Sequence, residues 1–218
     1  MKKSDNTHIK ELDRLIYPAS STSIDRYVLA NSWTKGKNVL DAATGFGYGA
    51  GILLSLGAKS VVGIDIDQEA IKDSNERFLS PKATFKVCDI FNLKDTFQKD
   101  EFEVCTSIET FEHLPPNQIN EYLQSLRYVT SEVIVITTPK RKTEIWKYDG
   151  GTHLYEYDPQ EFINILKHNF PNDEISGMGL KEVPLPSNVE SVPIQWGTTL
   201  VNNLIDSWVM MAIINLKK

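Results

Sequence analysis

The sequence predicts an α/β fold, a doubly wound and mostly parallel sheet with helices on both faces. Three observations predict it. Short β-rich runs alternate with stretches of helical periodicity from Lys37 to Phe170. No internal repeat and no Gly/Ser/Pro linker interrupts that alternation. A glycine-rich turn, Gly45-Phe46-Gly47-Tyr48-Gly49, follows the first β-rich run directly, where a strand would pass into a helix. Strands joined through helices must run parallel, because a parallel pair needs a long crossover connection.

The elements follow in order. His8 to Trp33 reads as two short helices, with Ile9, Leu12, Leu15 and Ile16 and then Ile24, Tyr27 and Val28 apolar; residues 1–36 are expected to form a helical lid. Residues 37–218 are expected to form the main domain, with a loop around 140–157 on the ligand side. Its first strand is Lys37 to Ala42, followed by a helix from about Gly47 to Leu56 with Ile52, Leu53 and Leu56 on one face. Ser60 to Asp65 is the second strand, Gln68 to Leu79 a helix, Ala83 to Cys88 the third strand and Phe102 to Ile108 the fourth. Ile119, Tyr122, Leu123, Leu126 and Thr130 have the spacing of one helical face, and Glu132 to Thr137 is the fifth strand. Asp158 and Pro159 read as an N-cap and N1 pair opening a helix with Phe162, Ile165, Leu166 and Phe170 inward. Pro171 to Pro193 carries no clear period, and Trp208 to Leu216 reads as a last, antiparallel strand.

Composition narrows the function. The chain has 218 residues, 41% apolar and 24% charged, enough for one enlarged domain with a sizeable core. Its 23 Lys and Arg against 29 Asp and Glu give a net charge of −6, which opposes broad adhesion to nucleic acid or anionic lipid. Neither nucleic acid nor a membrane is therefore an expected partner. The two cysteines, Cys88 and Cys105, sit in apolar runs and read as buried thiols of a reducing compartment. The start lacks the apolar region of a signal peptide, and the longest apolar run, Trp208 to Ile214, is too short for a membrane span, so a cytoplasmic location is expected.

The central motif is Val39 to Gly49. Its glycines let the backbone approach a ligand and leave helix amides pointing at it. Asp65 ends the second strand 20 residues after Gly45, where a carboxylate can accept from ribose hydroxyls. Gly45, Gly47 and Ala50 also fit the dinucleotide pattern, so nicotinamide and flavin compete. Asp41 decides against them: a carboxylate at the mouth of the first strand repels a pyrophosphate and favours a ligand bearing an ammonium and a sulfonium. S-adenosylmethionine carries both. Asp89 ends the third strand on the same rim, where it can accept from an adenine amino group while Ile90 packs on the ring.

With these residues in view, the sequence resembles the class I S-adenosylmethionine-dependent methyltransferases over about residues 24 to 170. The resemblance rests on Val39 to Gly49, Gly63-Ile64-Asp65, Cys88-Asp89-Ile90 and Glu109-Thr110-Phe111-Glu112-His113-Leu114. It implies a Rossmann-like, seven-stranded sheet and a cofactor site of Asp41, Ala43, Gly45, Gly47, Asp65, Ile66, Asp89, Ile90 and Glu109. Arg26-Tyr27, Thr138-Pro139 and His153 to Tyr157 are similar to the branch found beside polysaccharide and small-metabolite biosynthesis. Two departures stand out. Ala43 occupies the place of the first glycine, and Tyr128 to Glu132 lacks the Pro-Gly-Gly turn.

Methyl transfer depends chiefly on alignment, and a hydroxyl acceptor gains from a nearby base. The candidates are His153 and His113, with Glu109 and Glu112 beside them. The Glu109, Glu112 and His113 group also resembles the divalent-metal site of ubiquinone-pathway and small-RNA 2′-O-methyltransferases. One His with two carboxylates is an incomplete set unless His153 joins it, so no metal is expected. Lys140-Arg141-Lys142 with Trp146, Lys147 and Tyr148 could meet a phosphate, a nucleotide-linked sugar or RNA, and is otherwise a solvated loop. Tyr17, Tyr27, Trp146, Tyr155 and Trp196 are candidates for an aromatic pocket. The expected activity is methylation of an O or N atom of a small polar, sugar-like acceptor. The alternatives are a metal-assisted RNA 2′-O-methyltransferase and a noncatalytic nucleoside-binding module.

Overall fold

The computed structural model describes residues 21–142, 151–184, 196–201, 204–205 and 207–217. The expected helix before Ser21, Trp146 to Tyr148 and the side chain of Trp196 lie outside the described residues. The elements are α1 (Ser21–Thr34), β1 (Asn38–Ala42), α2 (Tyr48–Ser55), β2 (Ser60–Asp65), α3 (Gln68–Arg77), β3 (Ala83–Val87), α4 (Leu93–Thr96), β4 (Phe102–Ile108), α5 (Ile119–Val129), β5 (Thr130–Pro139), α6 (Pro159–Asn169), β6 (Glu174–Pro184), β7 (Trp196–Val201) and β8 (Val209–Asn215). Short 3₁₀ turns cover Ile90–Asn92, Phe111–His113 and Pro116–Gln118.

The sheet has the order β3-β2-β1-β4-β5-β8-β6-β7. β3, β2, β1, β4 and β5 are mutually parallel, and β8 enters antiparallel beside β5, as its place after the last loop led us to expect. Eight strands are described where seven are expected. The strands the sequence left unread are β6, inside the stretch that showed no period, and β7, just beyond it, which pair antiparallel with each other at the edge. Gly177, Gly179 and Pro184 explain the silence, since these residues lower strand propensity without abolishing pairing to β8 on the inner side.

Alternation along each strand feeds two cores. Leu40, Cys105, Ile134, Ile136 and Met210 face the layer that holds Tyr122, Leu123, Leu126, Phe162 and Leu166 of α5 and α6. Val39, Val61, Val104, Val135 and Met211 face Tyr27, Ala30, Ala50 and Leu53 of α1 and α2. Tyr27 and Ala30 supply the inner face of α1, whereas the apolar Val28 is 46% exposed. Both cysteines are free and buried. Asp158 caps α6 with a complete capping box, accepting from Gln160 N and Glu161 N. The missing Pro-Gly-Gly turn has a simple counterpart: α5 ends at Val129 and β5 starts at Thr130 with no loop, and the Thr130 hydroxyl donates to Leu126 O at 2.7 Å. Among the described residues no helix is long and apolar enough to cross a membrane.

Candidate active site

The turn after β1 converts a strand into a helix by placing alternate residues in the left-handed region. Ala43 has φ 58°, Gly45 55° and Gly47 75°. At Gly45 the space that a Cβ would enter is empty to 4 Å, so this face of the turn is open, whereas a Cβ on Gly47 would come within 2.8 Å of Phe85 and Ser74. The turn is held from below and behind. Thr44 N donates to Ile64 O at 2.8 Å, and Asp65 accepts from Gly45 N at 2.8 Å and from Asp67 N at 3.0 Å. Ile66 follows Asp65 on the rim and is 70% exposed. Asp89 accepts from Phe91 N at 3.0 Å, capping the turn in which Ile90 is buried.

Asp41 is placed differently from the sequence reading. It does not lie at the mouth of the strand but fully buried beneath the turn. Thr44 Oγ1 donates to one carboxylate oxygen at 2.6 Å and Thr106 Oγ1 to the other at 2.7 Å, and the buried Tyr27 hydroxyl of α1 adds a third bond. Burial pushes the Asp41 carboxyl up to about 6, against the opposing pull of these hydroxyls. Asp41 therefore acts on the turn itself, joining α1, β1 and β4 beneath it.

The segment after β4 is the second half of the site. Glu109 has φ 53°. Its N–H donates to Thr137 Oγ1 at 3.1 Å, Thr137 Oγ1 donates to its carboxylate at 2.8 Å, and Arg26 of α1 lies 3.3 Å from its other oxygen. Glu112 is fully buried: Oε2 accepts from Thr138 Oγ1 at 3.0 Å, while Oε1 accepts no hydrogen bond. Burial, reinforced by the charge of Glu109, holds the Glu112 carboxyl well above the ordinary range.

Backbone bonds bring the distant loop onto this segment. Leu154 N and Tyr155 N donate to Glu112 O at 2.8 and 3.2 Å. His113 and His153 thereby stack edge to face with ring centres 5.1 Å apart. His113 Nδ1 lies 2.9 Å from Thr152 O, and His153 Nδ1 lies 2.9 Å from Glu156 Oε1; each acceptor fixes the hydrogen on Nδ1. Glu112, His113 and His153 can each present a ligand atom within 4.8 Å of the others. The set Glu109, Glu112 and His113 is thus corrected: Glu109 is engaged by Arg26 and Thr137, and His153 takes its place.

The remaining candidates separate. Tyr27 is committed to Asp41 and Tyr48, and Tyr155 to Arg141, Glu161 and Tyr157, so these two do not share one aromatic pocket. Arg141 is not part of a solvated run, because it pairs with Asp158 at 2.8 Å and Glu161 at 2.9 Å. Thr106 and Thr137 escaped the sequence reading, and Thr138 and Glu156 entered it only as members of motifs, with no partner assigned. A Thr-Thr pair closing an apolar strand, directly before a proline, is the one signal that could have exposed Thr137 and Thr138.

Residues 39–132 match the family model of the methyltransferase domain. The match spans the turn, Asp65, Asp89 and the segment after β4, and the dinucleotide reading gives way to it. Among solved structures, the fold is similar to an S-adenosylmethionine-dependent methyltransferase of Archaeoglobus fulgidus, 19% identical, covering 95% of this chain and 99% of that one with a TM-score of 0.66. It is also similar to a Thermotoga maritima S-adenosylmethionine-dependent methyltransferase, 10% identical, covering 97% of each chain, TM-score 0.67. Magnesium protoporphyrin IX methyltransferase of Synechocystis, solved with S-adenosylhomocysteine, is 13% identical, with 90% of this chain and 83% of that one covered and a TM-score of 0.60. No curated protein matches the sequence.

Proposed function

We propose that the chain is an S-adenosylmethionine-dependent methyltransferase acting on an O or N atom of a small polar, sugar-like acceptor. The observation that carries the reading is the turn: three left-handed positions, a face left open at Gly45 and a carboxylate, Asp65, anchored beside it, all within a methyltransferase domain. These features fit the cofactor. Gly45 would admit it closely, Asp65 would meet the ribose hydroxyls and the exposed Ile66 would offer apolar surface to a base, whereas Ile90, after Asp89, packs into the core. When bound, S-adenosylmethionine supplies an electrophilic methyl group and leaves as a neutral thioether.

The chain's own residues do the rest. Glu109, clamped by Arg26 and Thr137, fixes the end of β4 against β5 and α1. His153 takes the acceptor proton on Nε2, since Glu156 holds its Nδ1 hydrogen, and His113 packs against it from Thr152. Of the expected lid, α1 meets this site through Arg26 and Tyr27, while residues 1–20 lie outside the described residues. Titration calorimetry tests the reading: binding of S-adenosylmethionine and S-adenosylhomocysteine with none of NAD is expected, and tight NAD binding overturns it. Cofactor binding without methyl turnover on any acceptor mixture would favour the noncatalytic module.

One observation favours a second reading, metal-assisted methylation of an RNA 2′-hydroxyl. Glu112, His113 and His153 resemble the donor set of two imidazoles and one carboxylate used for divalent metals, with the Glu112 Oε1 accepting no hydrogen bond. Such a metal would lower the pKa of an acceptor hydroxyl. Under the first reading activity survives EDTA. Stoichiometric zinc, manganese or magnesium, lost with activity in His113→Ala, moves the second reading to first place.

A further inference from the structure

Where β5 and β6 end beside the start of β8, the sheet carries a feature the cofactor site does not use. A cavity of about 540 Å³ is lined by Lys140, Arg141, Lys142, Lys181, Ser207 and Trp208. It is built by the sheet. Lys140 N donates to Trp208 O, and Trp208 N donates to Leu180 O, each at 2.8 Å, so Lys140 and Lys181 flank Trp208 from β5 and β6. The backbone of the wall is therefore rigid even where its lysines are long.

The charges in this cavity are of two kinds. Arg141 is neutralised by Asp158 and Glu161 and serves as scaffold. Lys140 donates to the carbonyl of Ile205, which carries no charge to offset it. Among the described residues, none of Lys140, Lys142 and Lys181 pairs with a carboxylate. Three cations with no carboxylate partner among the described residues gather around one concavity, in a chain whose net charge is −6. Mutual repulsion makes that gathering unfavourable in isolation, and an anion relieves it. Trp208 is 45% exposed among them, presenting an aromatic face to whatever the lysines hold. The cavity lies at the carboxyl ends of β5 and β6, the rim where ligands of open α/β sheets bind. Lys140 is two residues beyond Thr138, the hydroxyl that bonds Glu112.

We infer that this cavity is the recognition site for a phosphate group on a small acceptor, with a ring of the same molecule against Trp208. The inference rests on the proposed methyltransferase reading and narrows its acceptor to phosphate esters. Lys142 and Lys181 bind the anion, Ser207 and Lys140 border it, and the acceptor atom is directed toward His153.

The test uses the full chain, loaded with S-adenosylhomocysteine, in titration calorimetry with four probes: inorganic phosphate, glucose 6-phosphate, UDP-glucose and a single-stranded RNA decamer. Binding of glucose 6-phosphate or UDP-glucose is expected, weakening at least tenfold in Lys142→Ala/Lys181→Ala and with rising salt, with cofactor affinity unchanged. The sugar phosphate and the nucleotide sugar distinguish the two sources of the phosphate. A wild-type protein that binds cofactor but none of the small probes overturns the inference, as does small-probe binding indifferent to the double variant. RNA bound more tightly than every small probe overturns it in favour of the second reading. Failure to bind cofactor at all is scored separately, against the methyltransferase reading itself.

Discussion

The two ends of the sheet's functional rim are built on opposite principles. Around β1 and β2 the site is made of backbone and short side chains tied within one stretch of sequence: Thr44 donates to Asp41, and Gly45 N and Asp67 N donate to Asp65, through bonds of 2.6 to 3.0 Å. Around β4 and β5 it is made of long side chains from separate segments, with His153 brought to His113 by two amides of its loop that bond to Glu112 O and by the His113 Nδ1 bond to Thr152 O. The first arrangement is suited to a ligand that never changes. The second can be altered by replacing one loop, which is how one sheet comes to serve different acceptors.

The sharpest way to break this comparison is to remove His153. If the acceptor end does proton transfer and the cofactor end does not, His153→Ala lowers turnover by about 10²–10⁴-fold. Cofactor affinity and melting temperature then stay near wild type. An early melt with unchanged turnover per folded molecule would make His153 a loop anchor, as its bond to Glu156 also permits.

Asp41 gives the next effect, and its sign is unusual. The carboxyl is pushed up to about 6 in the folded state from 3.8, so between those values the folded protein holds the proton more tightly than the unfolded chain. Stability from this group is therefore fully present below about pH 4 and falls as pH rises through 6, by about 3 kcal/mol in all at 1.36 kcal/mol per pH unit. Thermal melts of the cofactor-free protein at pH 5 and pH 8 span the upper part of that change, about half of it. Asp41→Asn should flatten that dependence. If the ionised carboxylate also steadies a cationic ligand above the turn, the same variant weakens S-adenosylmethionine more than S-adenosylhomocysteine.

Asp65→Ala probes the cofactor end directly. It should weaken cofactor binding by about 1.5–3 kcal/mol, the range for hydrogen bonds to a charged group, with turnover at saturating cofactor little changed. Calorimetry and saturation kinetics check the two halves of that statement. Unaltered binding would remove Asp65 from the site and leave it as the group that holds Gly45 N and Asp67 N.

The same contrast decides what could be read in advance. The turn and Asp65 were legible because their bonding is local, and the β1 to β5 strands because alternation and burial coincide there. The partnership of Asp41 with Tyr27 and Thr106 was not, since a buried carboxylate and one at a strand mouth look alike in sequence. His113 and His153 were visible one by one. Their apposition depends on carbonyl and amide positions that no side-chain pattern encodes. β6 and β7 escaped because their pairing, β6 to β8 and β7 to β6, is set by the neighbouring strand rather than by their own propensities.

Ala43 supplies the smallest effect and tests whether the cofactor end is as rigid as it looks. In the left-handed region at φ 58° an alanine costs about 1–2 kcal/mol that a glycine would not. Ala43→Gly recovers that cost but frees the unfolded chain, which takes back about 0.4–1 kcal/mol. It also removes a methyl group that packs, half-buried, against the core beneath the turn, and a fully buried group of that size contributes about 0.8 kcal/mol. The three contributions nearly cancel, so the unfolding free energy should move by less than about 1 kcal/mol, with cofactor affinity unchanged. That cancellation is the physical reason an alanine stands where the resemblance leads one to expect a glycine. Ala43→Val keeps the backbone demand and adds a β-branch that the left-handed region rejects, so it should lower the melting temperature in the same assay. A valine variant as stable as the parent would mean that the turn relaxes out of this conformation, and the rigidity assigned to the cofactor end would fail with it.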